Sequence, residues 1–400
     1  METLSLLFVP PFGGGMEIIM KKILSYNMLF VVLMLSFQNK NANAMNLKEA
    51  EIKLYAEEVP DDIIAYAQND FHNHLNSQID GMSEYYLGNA IKFYNYSNNV
   101  LTKSKSYGFF VYDYLGNIYG TYEVIYNEQE RKFYSSFNRG LLEHLSTVLQ
   151  GEGKTSPYVI VSDESFNVWA VNNKDIIEVE THDINKQKLM DKKQLLERIN
   201  NEIKQNKKLE IVSATIYDED LKYNTFSNLS YNAVSSTQNI LPVSGFMQYS
   251  LNWCAYCTTA SIINYVKGAM LNPSIICYAI HGDYRDQGAT DDQIKQYAKS
   301  AWSFNSLYET YSLMDMSIIK NQIDNNRPLY HTWRNTSTGA AHATVLNGYT
   351  DSPQYGKYYY FINSWTSSPS FSVSVDTSGS YTWIDAGVTR VFRGAIYNWQ

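Results

Sequence analysis

Cysteine is scarce: Cys254, Cys257 and Cys277 are the only three in a chain of 400 residues. Such a chain draws no stability from a disulfide framework. If one thiol stays free, the other two can form at most one bridge, and two buried free thiols are the simpler reading. Basic charge is also short. Lys and Arg total 32 against 40 Asp and Glu, for a net charge of −8. That balance gives no electrostatic reason to expect nucleic acid or an anionic membrane as a partner. No Cys/His cluster has zinc spacing, no Gly-rich phosphate loop is present, and no repeat of fixed period is evident. The segment 283–288 has half the acidic pattern of a calcium loop without its later ligands. The sequence therefore implies no metal and no cofactor. The one apolar run, 23–37, is interrupted by Ser25, Tyr26 and Asn27 and is too short to span a bilayer comfortably.

Aromatics are plentiful, with 34 tyrosines, which points to many short strands and away from disorder. Lys21 and Lys22, the apolar run and Ala42-Asn43-Ala44 read as an export signal over residues 1–44, with translation starting at Met20. The product is then expected outside the cell. Residues 45–217 read as a folded, non-catalytic α+β domain. It begins with a charged helical stretch, 46–80, broken at Pro60. Strands follow at 107–112, 117–126, 131–137, 157–161, 166–171 and 175–180. Helices are expected at 138–150 and 191–206, the latter with Leu195, Leu196, Ile199 and Ile203 on one face. Residues 218–240 are polar and aperiodic, the best linker and the expected site of an activating cut. From 241 onward helices come first: Cys254–Lys267 ending at Gly268, one opened by the capping box Thr290-x-x-Gln293, and one at 317–326. Strands follow at 329–333, 341–349, 357–363, 371–375 and 388–397. A helical half followed by an antiparallel β half makes an α+β domain with a cleft between its halves.

Four residues carry chemistry. Cys254 opens a helix, where the helix dipole favours thiolate and lowers the pKa. Cys257, one turn later, is the weaker nucleophile. His342 sits in a strand among small residues that let the strand approach the thiol; His331 and His281 are its rivals. Asn363, ahead of Ser364-Trp365, can orient an imidazole. Gln248, a short way upstream of Cys254, can donate to an oxyanion.

These segments resemble the papain-like cysteine peptidases over roughly residues 241–400. The resemblance gives Gln248, Cys254, His342 and Asn363 the roles of oxyanion donor, nucleophile, base and orienting amide in a two-lobed catalytic domain. Trp253-Cys254-Ala255 and the short cysteine-to-histidine gap look most like compact secreted staphopain-type enzymes, as do 85–94 and 156–171. Ala255 and Thr366 depart from the common family pattern. The function expected is a secreted cysteine endopeptidase made as a zymogen. It acts as a monomer on proteins or peptides, with its own propeptide as intramolecular inhibitor and no stable membrane association. A Cys-His cell-wall amidase or acyl transferase is the alternative enzyme, and an inactive binding protein that kept the fold is the alternative without catalysis.

Overall fold

The computed structural model describes residues 53–76, 85–97, 99–113, 118–139, 157–163, 167–180, 192–206, 209–213, 237–353, 355–365 and 370–400. The expected signal peptide with Met20, most of the helix expected at 138–150, residues 218–236 of the expected linker, and Thr366 lie outside them.

In the N-terminal region the strands are β1 (Lys53–Glu57), β2 (Tyr85–Ser97), β3 (Val100–Asp113), β4 (Ile118–Asn127), β5 (Lys132–Asn138), β6 (Val159–Asp163), β7 (Val168–Val171), β8 (Ile176–Glu180) and β9 (Leu209–Ser213). Helices α1 (Asp61–Asn76) and α2 (Lys192–Gln205) accompany them. The C-terminal region holds β10 (Thr237–Ile240), α3 (Cys254–Lys267), α4 (Pro273–His281), α5 (Asp291–Trp302), β11 (Tyr308–Thr310) and α6 (Met316–Asp324). It ends with β12 (Leu329–Asn335), β13 (Ala341–Ser352), β14 (Gly356–Ile362), β15 (Ser370–Val375), β16 (Thr382–Asp385) and β17 (Val388–Tyr397). The architecture is mixed α+β, with a large sheet and six helices among the described residues.

Several boundaries follow from local chemistry. Asp291–Trp302 is opened by the Thr290/Gln293 capping box, with both reciprocal bonds made. Cys254–Lys267 stops at Gly268, whose φ of 61° is left-handed. Ile63, Ala67, Phe71 and Leu75 line one face of α1 and pack on Phe109, Val111, Tyr122 and Phe137. The expectation of helix before Pro60 is corrected. Leu54 and Ala56 are buried while their neighbours are not, the period of two that suits β1, which pairs with β9. The end of the expected linker is also structured, since β10 pairs antiparallel with β13.

One sheet runs through both regions in the order β11-β17-β12-β13-β14-β15-β5-β4-β3-β2-β6-β7-β8. Its pairs are antiparallel except β2 with β6. The join is β15 on β5, with Phe371, Ser372 and Val373 opposite Asn138, Phe137 and Ser136. Two polar clusters fasten it. Asp70 accepts from Tyr358 (2.6 Å), Ser135 (2.6 Å) and Tyr122 (2.8 Å), and its neighbour His74 bonds Ser372 (2.9 Å). At the second cluster the β16–β17 turn is seated against the N-terminal strands. The buried Glu123 carboxylate accepts from the N–H groups of Ala386 (2.7 Å) and Gly387 (2.9 Å). Ser162 donates to the Ala386 carbonyl (2.5 Å) and Ser104 to that of Gly387 (2.7 Å). Both turn residues have positive φ, 48° and 78°, as a two-residue turn joining twisted strands requires.

These clusters titrate in opposite senses. Burial, helped by Asp385, pushes Glu123 from 4.5 up to about 8 against the pull of the two N–H donors and Arg390. Burial also acts on Asp70, but its bonds to His74, Ser135 and Tyr358 and the His74 charge win, and it falls from 3.8 to about 2. Glu123 therefore stabilises the fold most below pH 4.5, and that contribution is lost as pH rises through about 8. The Asp70 contribution is present above pH 3.8 and is lost as pH falls towards 2. The urea midpoint of the full chain is expected to drop between pH 5 and 8, and Glu123→Gln should flatten that slope. A wild-type midpoint that is constant over this range would contradict the assignment. Gly387→Ala, whose Cβ would lie 2.4 Å from Phe93 Cβ, should cost at least ~2 kcal/mol in the same assay.

Candidate active site

Helix α3 and strand β13 bring the first two candidates together. Trp253 gives α3 no side-chain cap, so the first amides of the helix are left for another acceptor. The Cys254 thiol lies at this helix start, where the backbone N–H groups of Ala343, Ala255 and Cys254 itself act to favour its thiolate. Ala343 follows His342 in β13, the strand that carries the imidazole. Cys254 and His342 line one cavity of about 320 Å³, with Ala255, Gly288, Ala289, Ala341 and Ala343 among its small-residue walls. The small residues are what allow helix and strand to come this close.

Asn363 follows the end of β14. Its Oδ1 accepts from the Trp365 backbone N–H at 3.1 Å, which identifies that atom as the oxygen. The same atom lies 2.8 Å from His342 Nε2. His342 Nε2 must therefore carry the hydrogen, and Nδ1 is the ring's basic nitrogen. Trp365 stacks on the imidazole with centroids 3.5 Å apart and planes 25° apart. It covers the bond from water and so strengthens it.

Gln248 is placed differently. It lies outside the residues lining the cavity and is held by the Asn-Ser-Trp segment. Its Oε1 accepts from Ser364 Oγ at 2.9 Å, its backbone N–H donates to the Ser364 carbonyl at 2.9 Å, and its Nε2 donates to the Leu251 carbonyl at 3.0 Å. Nε2 has a second hydrogen beyond that bond. Ser364 thus fixes the glutamine relative to Asn363, a role that only the three-dimensional neighbourhood reveals.

The rival residues are occupied elsewhere. His331 is buried among aromatic rings, bonds Tyr381 at 2.9 Å, and is pushed down to about 3 by burial. His281 bonds Tyr256 at 2.8 Å. Cys257 is buried and its thiol is raised strongly, by burial first. Cys277 is buried with its sulfur against the carbonyls of Asp283 and Arg285. All three cysteines are free thiols. The expected lowering of the Cys254 pKa is corrected: the helix amides do face the sulfur, but burial outweighs them and Asp291 adds to it, so the thiol lies above its ordinary value.

Residues 240–381 match the sequence model of the Peptidase_C39 like family. That match supports a cysteine peptidase of papain-like type, and all four candidate residues lie inside it. No curated protein matches the chain.

Two further residues border the cavity without a signal in the sequence. Asp291 and Arg393, far apart in the chain, form an ion pair at 3.0 Å on its wall. The cavity is lined by residues between Leu251 and Arg393, and none of the described N-terminal residues reaches it. No group of acidic, His or Cys side chains among the described residues is arranged to hold a metal ion. Native protein treated with iodoacetamide is expected to gain one label, at Cys254, and three after denaturation. Labelling of Cys257 at a comparable rate in the native state would contradict this arrangement.

Proposed function

We propose that the protein is a secreted cysteine endopeptidase made as a zymogen, closest in kind to the compact staphopain-type enzymes, with a papain-like two-lobed catalytic domain. The observation that carries this reading is that Cys254 and His342 line one cavity, with the histidine fixed by the asparagine at 2.8 Å. A neutral thiol calls for a base at the moment of attack. Sγ of Cys254 adds to a peptide carbonyl while its proton passes to His342 Nδ1. The oxyanion is met by the Cys254 N–H and the second hydrogen of Gln248 Nε2. His342 then protonates the leaving amine, and water, deprotonated by the same imidazole, releases the acid from the thioester.

In this reading residues 45–217 are the propeptide and inhibitor, and a cut within 218–240 begins activation. Its support is the seating of the N-terminal strands on β15 and on the β16–β17 turn. Those contacts outlast a cut, so activity requires the fragment to leave, and the loosening of the Glu123 cluster with rising pH favours departure.

Casein hydrolysis is the test. Cys254→Ala or His342→Ala should lower kcat/KM by about a thousandfold or more, and Asn363→Ala by roughly tenfold to a hundredfold. Cys257→Ala and His331→Ala, where folded, should keep most activity. Precursor should gain activity as the smaller C-terminal fragment appears and separates on gel filtration. Hydrolysis of purified peptidoglycan in place of casein would favour the amidase reading, and full activity of a precursor made uncleavable at 218–240 would exclude an inhibitory propeptide.

A further inference from the structure

A buried arginine sits behind the candidate histidine. Arg390 lies directly opposite Trp383 in the β16–β17 pairing and is 2% exposed. Its guanidinium carbon is 4.4 Å from the centroid of the Trp383 ring and 5.0 Å from that of Trp365. Trp365 is the ring stacked on His342, and Trp383 lies 5.8 Å from the same imidazole. Among the described residues the guanidinium pairs with the Asp385 carboxylate at 3.9 Å. Arginine keeps its charge at any working pH and stacks on indole faces. Two indoles and one fixed cation therefore form the wall behind the ring that must gain and lose a proton.

We infer that Arg390 is a positioning residue for His342, holding Trp365 and Trp383 against the imidazole and setting through its charge the pH at which that imidazole is protonated. The inference rests on the reading of Cys254 and His342 as an acyl-transfer pair. A fixed positive charge near the ring disfavours imidazolium. It makes His342 a readier proton donor to the leaving amine and keeps the resting pair neutral. Asp385 tempers that charge. Among the described residues the other titratable and charged groups around the stack are Cys254 on α3, Asp291 on α5 with Arg393 on β17, Tyr330 and the neutral His331 on β12, and Glu123 on β4. Glu123 itself feels both Asp385 and Arg390, so the titrations are run in a Glu123→Gln background.

The experiment is an NMR titration of the His342 ring carbon in the full chain, with Cys254→Ala so that thiolate does not share the transition, and with His342→Gln to assign the signal. Arg390→Met keeps the apolar stem and should move the midpoint up by about half a unit to one unit. Arg390→Lys should restore much of the shift. Asp385→Asn removes the tempering carboxylate and should move the midpoint down. Opposite shifts at 390 and 385 support the inference, while no shift, or shifts of the same sign, overturn it. If Arg390→Met does not fold, the Asp385→Asn titration decides alone. A wild-type chain cut within 218–240 and freed of its N-terminal fragment that shows no casein hydrolysis and no iodoacetamide reaction at Cys254 would refute the peptidase reading and leave the titration result standing.

Discussion

The bond from His342 Nε2 to Asn363 Oδ1, at 2.8 Å under the stacked Trp365, is the interaction around which the rest of the C-terminal region is arranged. It sets the tautomer, and the tautomer decides which nitrogen can serve the thiol. Each partner is held from more than one side. Trp365 pins the asparagine oxygen through its backbone N–H, and Ser364 fastens Gln248. Trp333, directly opposite His342 on β12, packs in turn on Trp383. Moving any one of these rings disturbs the others, because buried aromatic side chains have no free volume in which to relax independently.

The same cluster meets the N-terminal region. Trp383 Nε1 donates to Asn138 Oδ1 at 3.1 Å, and Ser136 accepts from the Ile384 N–H at 2.9 Å. The N-terminal strands therefore touch the C-terminal region from the side of its aromatic core, while the described cavity wall is free of them.

What the sequence made legible was local. The capping box at Thr290, the glycine stop at Gly268 and the apolar face of Leu195 and Ile199 are each specified within a few residues, and each stands in the structure as read. The pairing of His342 with Asn363 was legible because each had a distinctive short context. What escaped was set by distance along the chain. Glu123 meets Gly387, Asp291 meets Arg393, and Arg390 meets Trp365 only after the sheet has formed. The sign of the Cys254 shift was misread for the same reason. A helix start is visible in sequence, but the burial that outweighs it is supplied by strands whose packing no local pattern reveals.

The most direct test of the account is an acid quench of the active enzyme within milliseconds of mixing with a peptide ester, followed by mass spectrometry of the digested protein. The account predicts the acyl mass on the peptide that carries Cys254, and none in Cys254→Ala. Turnover without an adduct at Cys254, or an adduct on Cys257 or Cys277, would contradict it.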